Sequence, residues 1–266
     1  MPIGVEEKYV IVGGWKEVSL VDVLGHVSFT LWLSGCNLKC PWCSNCDLAK
    51  GLIGKEVSIP EIIEKVKEAE TFVDYFHVTG GEPTLQLEAV KVMFSKLREE
   101  SELLLSFDTN GTIPFAISEL LKYAQHIAID VKAPLGNPAL YARVTGVEED
   151  AGIELVKRVK SSIEIAAAYT QFLELRTTLV PGLLSCKDVV QIAKEDLASI
   201  PKTTGRRVYV LQQFIPYKGV KDDYAHASPT PYDYLEECAK EVAYFLRGSG
   251  FEVYFRTLEA GAKRVA

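Results

Sequence analysis

Val27-Ser28-Phe29-Thr30-Leu31-Trp32-Leu33-Ser34 runs straight into Gly35-Cys36-Asn37-Leu38-Lys39-Cys40-Pro41-Trp42-Cys43, and the fold turns on that junction. The first eight residues are too short for a helix that could bury itself. Their β-branched and aromatic content suits a strand covered on both faces. The residues after it place three thiols in one loop at the end of that strand. Similar apolar runs recur at 73–79, 103–108, 126–132, 172–180, 207–215 and 251–256. Amphipathic stretches separate them at intervals of roughly 25 to 35 residues, as repeated βα units and a parallel sheet require.

The intervening helices carry start signals. Ser58 with Glu61 three residues on reads as a capping box before Ile59, Ile62, Ile63, Val66 and Ala69. A second helix over about 85–100 gathers Leu87, Val90, Met93, Phe94 and Leu97 on one face. Ser185 with Asp188 opens a helix near 186–200, and Thr230-Pro231 supplies a cap and first-turn proline for the last one. Pro134, Gly136, Pro138 and Gly146 make 133–150 irregular, with at most a short helix over 137–144. Neither a repeat nor a Gly/Ser linker divides the chain, so the expectation is one domain over 27–266. Residues 1–26 precede it as an N-terminal extension, in which the segment around Gly14-Trp15-Lys16 could form a hairpin.

Composition narrows the function. At 266 residues and 48% hydrophobic content the chain can bury a full core. It has no apolar run long enough to span a bilayer and no secretory signal at Met1, which points to the cytoplasm. A net charge of −7 gives no broad electrostatic footprint for nucleic acid. Six cysteines in a cytosolic chain favour metal binding or catalysis over disulfides, the more so because four lie between 36 and 46. Cys186 and Cys238 stand alone, and Cys238 shares an apolar helix face with Leu235, Val242 and Leu246, as a buried structural thiol would.

Three thiolates in a compact loop can hold three irons of a [4Fe–4S] cube and leave the fourth open for a ligand. Two other readings compete. Cys40, Cys43 and Cys46 begin a ferredoxin-like C-x₂-C-x₂-C, but residue 50 is Lys where a fourth cysteine would stand. A zinc site wants a further Cys or His nearby, and the next histidine downstream is His77.

The C-x₃-C-x₂-C spacing of Cys36, Cys40 and Cys43, with Trp42 before the third cysteine, resembles the radical S-adenosylmethionine (SAM) superfamily. That resemblance implies a partial (β/α)6 TIM-like barrel and a cluster whose open iron is chelated by the methionine moiety of SAM. Reductive cleavage then yields a 5′-deoxyadenosyl radical that abstracts hydrogen. It also implies roles elsewhere. Trp42 lies beside the adenine, and Gly80-Gly81-Glu82-Pro83 resembles the GGEP turn that receives the methionine ammonium. Asp108-Thr109-Asn110-Gly111 and Asp130-Val131-Lys132 resemble strand ends of the glycyl-radical-enzyme activases. There Asp108, Thr109 and Asp130 hold a monovalent cation near the cofactor, with Lys132 close by. Arg176 interrupts an apolar strand and needs an anionic partner, for which the cofactor carboxylate is a candidate. Each of these residues falls at or near the C-terminal end of a parallel strand, where α/β barrels build active sites.

The match loosens at Cys46, where relatives often carry His-Asn after the third cysteine, and at Lys218, where the activases commonly have His after Pro216-Tyr217. Over nearly the whole length the chain is similar to archaeal activators of anaerobic ribonucleotide reductase. Such a protein takes a glycyl radical enzyme as substrate and a ferredoxin or flavodoxin as electron donor. A small-molecule enzyme of the 7-carboxy-7-deazaguanine synthase type and a tRNA-modifying enzyme are the alternatives.

Overall fold

The computed structural model describes residues 9–201, 205–217, 220 and 224–265. These described residues form two compact units, the first over 9–37, Asp47–Thr109 and Phe115–Ile127, the second over Leu38–Cys46, Asn110–Pro114 and the described residues from Ala128 onward.

In the first unit the strands are ordered β3 (Lys55–Ser58), β1 (Tyr9–Ser19), β2 (Ser28–Leu33), β4 (Tyr75–Gly80) and β5 (Leu104–Thr109). β2, β4 and β5 are parallel, with Thr30 opposite His77 and His77 opposite Ser106. β1 runs antiparallel to both β2 and β3. The segment around Gly14 is part of one long strand that pairs with β2, rather than a hairpin within the N-terminal extension. The sequence reading missed β3, a four-residue strand with two exposed positions.

The first four helices in chain order are α1 (Cys46–Ala49), α2 (Ile59–Ala69), α3 (Leu87–Glu100) and α4 (Pro114–Leu120), of which α2 and α3 lie wholly within this unit. Ser58 Oγ accepts the Glu61 N–H at 3.3 Å, an N-cap worth about 1 kcal/mol. Because strand side chains alternate, β2, β4 and β5 have two chemically distinct faces. Phe29 packs against Phe76 with ring centroids 6.1 Å apart, and Phe76 and Phe107 pack against Phe94 of α3 at 6.1 and 6.4 Å. The opposite face carries Thr30, His77, Thr79, Ser106 and Asp108, a polar layer that is buried except toward its C-terminal rim. The helix-facing side makes the core, and the polar side is free to make a site.

The chain passes into the second unit along β6 (His126–Asp130). There β7 (Phe172–Leu179), β8 (Arg206–Gln213) and β9 (Glu252–Thr257) are parallel, and β10 (Gly261–Arg264) adds antiparallel to β9. Helix α5 (Pro138–Thr145) is the short helix allowed for over 137–144. Asn137 caps its start and Gly146, at φ +68°, ends it. The long α6 (Gly152–Tyr169) follows. At α7 (Cys186–Gln191) the Asp188 carboxylate takes both the N–H and the hydroxyl of Ser185. The chain then continues as a π-helical turn over Ile192–Leu197.

Two expectations need correction here. Cys186 and Cys238 are not lone thiols but a disulfide, with Cα atoms 5.6 Å apart. Cys186 opens α7 while Cys238 lies on the buried face of α8 (Tyr232–Phe245), so packing of the two helices brings together residues 52 apart. Nor does Thr230 cap α8, whose N-cap is Pro231. The Thr230 hydroxyl instead donates to the Leu179 carbonyl at the end of β7.

Candidate active site

The first unit supplies a tightly specified turn. Gly81 N–H donates to the Leu33 carbonyl and Glu82 N–H to the Gly35 carbonyl, both at 2.8 Å. The Gly-Gly-Glu turn is therefore zipped onto the two residues that lead into Cys36. Both glycines are obligatory. Gly80 sits at φ +125°, and a Cβ there would lie 2.2 Å from the Leu33 carbonyl oxygen. At Gly81 it would lie 2.0 Å from the Gly35 carbonyl oxygen. Such close approach of two backbones is what glycine permits and no other residue does.

Glu82 is fully buried, and its Oε1 accepts from Thr84 N–H, the Thr84 hydroxyl and the Thr109 hydroxyl, the last at 2.8 Å. Two residues singled out on separate strands, Glu82 and Thr109, are thus joined directly. Beside them the Thr79 hydroxyl donates to Asp108 Oδ2 at 3.0 Å, and His77 Nε2 lies 3.4 Å from the same oxygen. Sequence reasoning missed Gln86. Its side-chain amide donates to the carbonyls of Ile11 and Ser34 and accepts the Ile11 N–H, so that β1, the cysteine approach and the Gly-Gly-Glu turn are pinned together. A polar residue three positions after Pro83 gave no sign of that reach.

The second unit holds the rest of the cysteine loop. Cys43 N–H bonds the Cys40 carbonyl at 3.2 Å, closing a turn with Pro41 at the position where its fixed φ is favoured. The loop lies against the end of α5. Lys39 N–H reaches the Thr145 carbonyl at 3.0 Å, and the Trp42 indole N–H reaches the Val144 carbonyl at 3.0 Å. A Cβ on Gly146 would meet the Lys39 carbonyl oxygen at 2.1 Å, so the helix-ending glycine also seats the loop. Lys132 Nζ pairs with Asp130 at 2.8 Å and stands 5.1 Å above the Trp42 ring. Burial would drive this ammonium toward neutrality, but Asp130 and Cys40 outweigh it and raise its pKa. Burial also pushes the Cys43 thiol up, against the Asn45 N–H and Lys132, which favour the thiolate.

Arg176 has an anionic partner within its own strand. Its burial does demand an anion, and one is built in: Nε donates to Glu174 Oε1 at 2.6 Å, with Arg256 3.4 Å from the same oxygen. Glu174 is fully buried two residues earlier on the same strand face. The alternation of strand side chains was the signal that would have found it. Lys218 lies outside the described residues.

Cys36, Cys40, Cys43 and Cys46 are partly exposed and belong to no disulfide. Among the described residues no three Cys, His, Asp or Glu side chains converge as a single metal ion would require. A cuboidal cluster makes a different demand, because each thiolate binds its own iron and the sulfurs stay apart. All-thiolate donors on an irregular loop, beside a buried lysine cation, fit a [4Fe–4S] cluster in chemistry and in charge.

Parallel βα units, a cysteine loop after the first parallel strand and a Gly-Gly-Glu turn bonded to that loop's approach suit an enzyme whose strand-end loop would hold an iron–sulfur cluster. The model of the radical SAM superfamily matches residues 31–187, and the chain belongs to that superfamily. Its α/β fold is accordingly of the TIM-like type. Membership implies a [4Fe–4S] cluster and SAM as cofactors. A Methanocaldococcus jannaschii protein, named provisionally as a glycyl-radical enzyme activating enzyme, is 33% identical over 224 residues, 83% of this chain and 86% of its own. The 7-carboxy-7-deazaguanine synthase of Methanospirillum hungatei is 31% identical over 110 residues, 41% of this chain and 44% of that enzyme. Among solved structures, Streptococcus suis SuiB bound to S-adenosylmethionine superposes with a TM-score of 0.63 at 13% identity, over 84% of this chain and 48% of SuiB. Among the described residues no helix is long and apolar enough to cross a membrane.

Proposed function

We propose that this radical SAM enzyme generates a glycyl radical on a partner protein of the anaerobic ribonucleotide reductase kind. The observation that carries the reading is the 33% identity to the Methanocaldococcus jannaschii protein, which extends over most of both chains. Cys36, Cys40 and Cys43 hold the cluster, whose chemistry when loaded is reductive cleavage of SAM and hydrogen abstraction by the resulting radical. The residues around it bind and orient. The Gly80-Gly81 backbone receives the methionine ammonium, and Glu82 fixes that turn from beneath while adding negative charge behind it. Asp108, Thr109 and Asp130 border the ribose and carboxylate, with a monovalent cation between them. Lys132 and Arg176 balance the cofactor's carboxylate, and Trp42 flanks its adenine. A ferredoxin or flavodoxin supplies the electron in the cytoplasm.

The competing substrate class is a small pterin-like molecule, favoured by the similarity to the deazaguanine synthase, which covers less than half of either chain. The test is direct. Reconstituted, reduced enzyme is mixed with SAM and a glycyl radical enzyme, and the electron paramagnetic resonance spectrum is recorded. A glycyl doublet is expected. Its absence with cognate partners, together with turnover of the pterin-like substrate, would replace activation by the small-molecule reading.

A further inference from the structure

Ser34 commits each of its polar groups to a different part of the first unit. Its N–H donates to the Ile11 carbonyl at 3.0 Å, and its carbonyl accepts from the Gln86 amide at 3.0 Å. Its hydroxyl donates to the Ile53 carbonyl at 2.6 Å, with the Leu48 carbonyl 3.3 Å away. One residue on, Gly35 N–H donates to the same Leu48 carbonyl at 3.0 Å. Ser34 is buried, so a partner taken away is not replaced by water.

The two carbonyls belong to the far end of the cysteine segment. Leu48 lies 14 residues after Ser34 and Ile53 lies 19 after it, and Cys36, Cys40, Cys43 and Cys46 all fall between. The approach is close: a Cβ on Gly54 would lie 2.8 Å from Ser34 Oγ and 2.9 Å from Ser34 Cβ, which leaves no room for a side chain beside Ile53. Leu48, in α1, is itself anchored against β1, where a Cβ on Gly13 would lie 2.2 Å from its Cδ1. None of these contacts involves a cysteine. The entropy of closing the loop is therefore lost when the chain folds and not when a cluster binds. The residues on either side of Ser34 are the ones held by the Gly-Gly-Glu turn, through Gly81 N–H on Leu33 and Glu82 N–H on Gly35.

We infer that Ser34 is a positioning residue for Cys36, stapling the start of the cysteine segment to its end and to the Gly-Gly-Glu turn, so that the loop is shaped before the cluster is built. This rests on the proposal that Cys36 holds the cluster, and the staple itself can be tested without one.

Amide hydrogen exchange in the full, cluster-free chain reads the staple directly. Gly35 N–H should exchange at least about 10-fold more slowly than in a free peptide, and Ser34→Ala should remove most of that protection. A Gly35 amide that exchanges at the free-peptide rate, or one indifferent to Ser34→Ala, would overturn the inference. In the reconstituted enzyme, Ser34→Ala should lose iron to a chelator about 10-fold faster than wild type, within the range found for residues that orient metal ligands. Ser101→Ala is the control for a merely structural role, because it removes an equally short serine bond, 2.6 Å to Glu70 Oε1, elsewhere in the same unit. It should leave iron loss at the wild-type rate. Equal rates for Ser34→Ala and wild type, or equal acceleration by both variants, would refute positioning. If Cys36→Ala keeps its full cluster while Gly35 stays protected, what has failed is the assignment of Cys36 and not the staple.

Discussion

Gly81→Ala places the sharpest demand on the geometry described above. The added Cβ would sit 2.0 Å from the Gly35 carbonyl oxygen, whereas real Cβ contacts essentially never fall below 3.0 Å. The difference, 3.0 − 2.0, requires the two backbones to separate by about 1 Å. The obstacle is main chain, so no side-chain rotation can relieve it. Separation stretches the 2.8 Å bonds from Gly81 N–H to Leu33 and from Glu82 N–H to Gly35, at about 1 kcal/mol each. It also displaces the residue immediately before Cys36. A misplacement of about 1 Å at a reacting centre costs on the order of 100-fold in rate. The expected result is a folded variant that forms 5′-deoxyadenosine from SAM about 100 times more slowly under reducing conditions. Gly136→Ala serves as control, since its Cβ would meet nothing nearer than Glu195 Oε2 at 3.4 Å. Wild-type 5′-deoxyadenosine formation by a Gly81→Ala enzyme with full iron content would refute the coupling between this turn and the cysteine approach.

Other outcomes follow from the same contacts. Removing the Cys186–Cys238 disulfide by double serine substitution frees a loop of 52 residues, worth about 4 kcal/mol in chain entropy, or about 7 °C in Tm for a chain this size. An unchanged melting curve, scanned under oxidising conditions, would show that the bridge does not form. Cys46→Ala should retain cluster absorbance and iron after anaerobic reconstitution while Cys36→Ala loses both, and the opposite pattern would move the ligand set to Cys40, Cys43 and Cys46. Glu174→Gln strips Arg176 and Arg256 of the carboxylate between them and should destabilise the fold by about 3–5 kcal/mol in urea titration. Asp196 is pushed up to about 6 by burial, against the Leu135 N–H that favours its charge. Its folded pKa exceeds the unfolded value near 3.8, so it stays protonated in the fold at a pH where the unfolded chain has ionised, and stability falls as pH rises from about 4 through 6. Asp196→Asn, which keeps an acceptor for Leu135, should therefore raise Tm at pH 8 and leave it nearly unchanged at pH 4.

The parallel strands were legible because each is a short apolar run ended by glycine, proline or charge, and β2, β4, β5 and β7 lie within two residues of where those runs place them. β3 and β10 were not, because edge strands of four largely exposed residues carry no hydrophobic period. Thr230 shows how tertiary contacts override a local signal. The residue has the chemistry of a cap, and the end of β7 uses its hydroxyl instead. The disulfide escaped for a related reason. Nothing in a spacing of 52 residues says that two helices will cross at Cys186 and Cys238, and the reducing compartment expected for the chain argued the other way.

At the site, identity and partnership differ in how far sequence carries them. Gly80, Gly81, Glu82 and Thr109 were singled out by the family resemblance, which says nothing of their contacts with one another, and in the structure the Glu82 carboxylate is enclosed by threonine donors. The consequence is a division of labour within one turn. The glycines bring the backbone close, and the buried acid holds it there. Arg176 shows the converse: burial of a charge correctly demanded an anion, and only the register of β7 revealed that Glu174 meets the demand. A buried charge on a strand therefore has to be checked against its own i ± 2 neighbours before a ligand is invoked. Arg176 is already paired with Glu174, and Arg256 stands 3.4 Å from the same carboxylate oxygen.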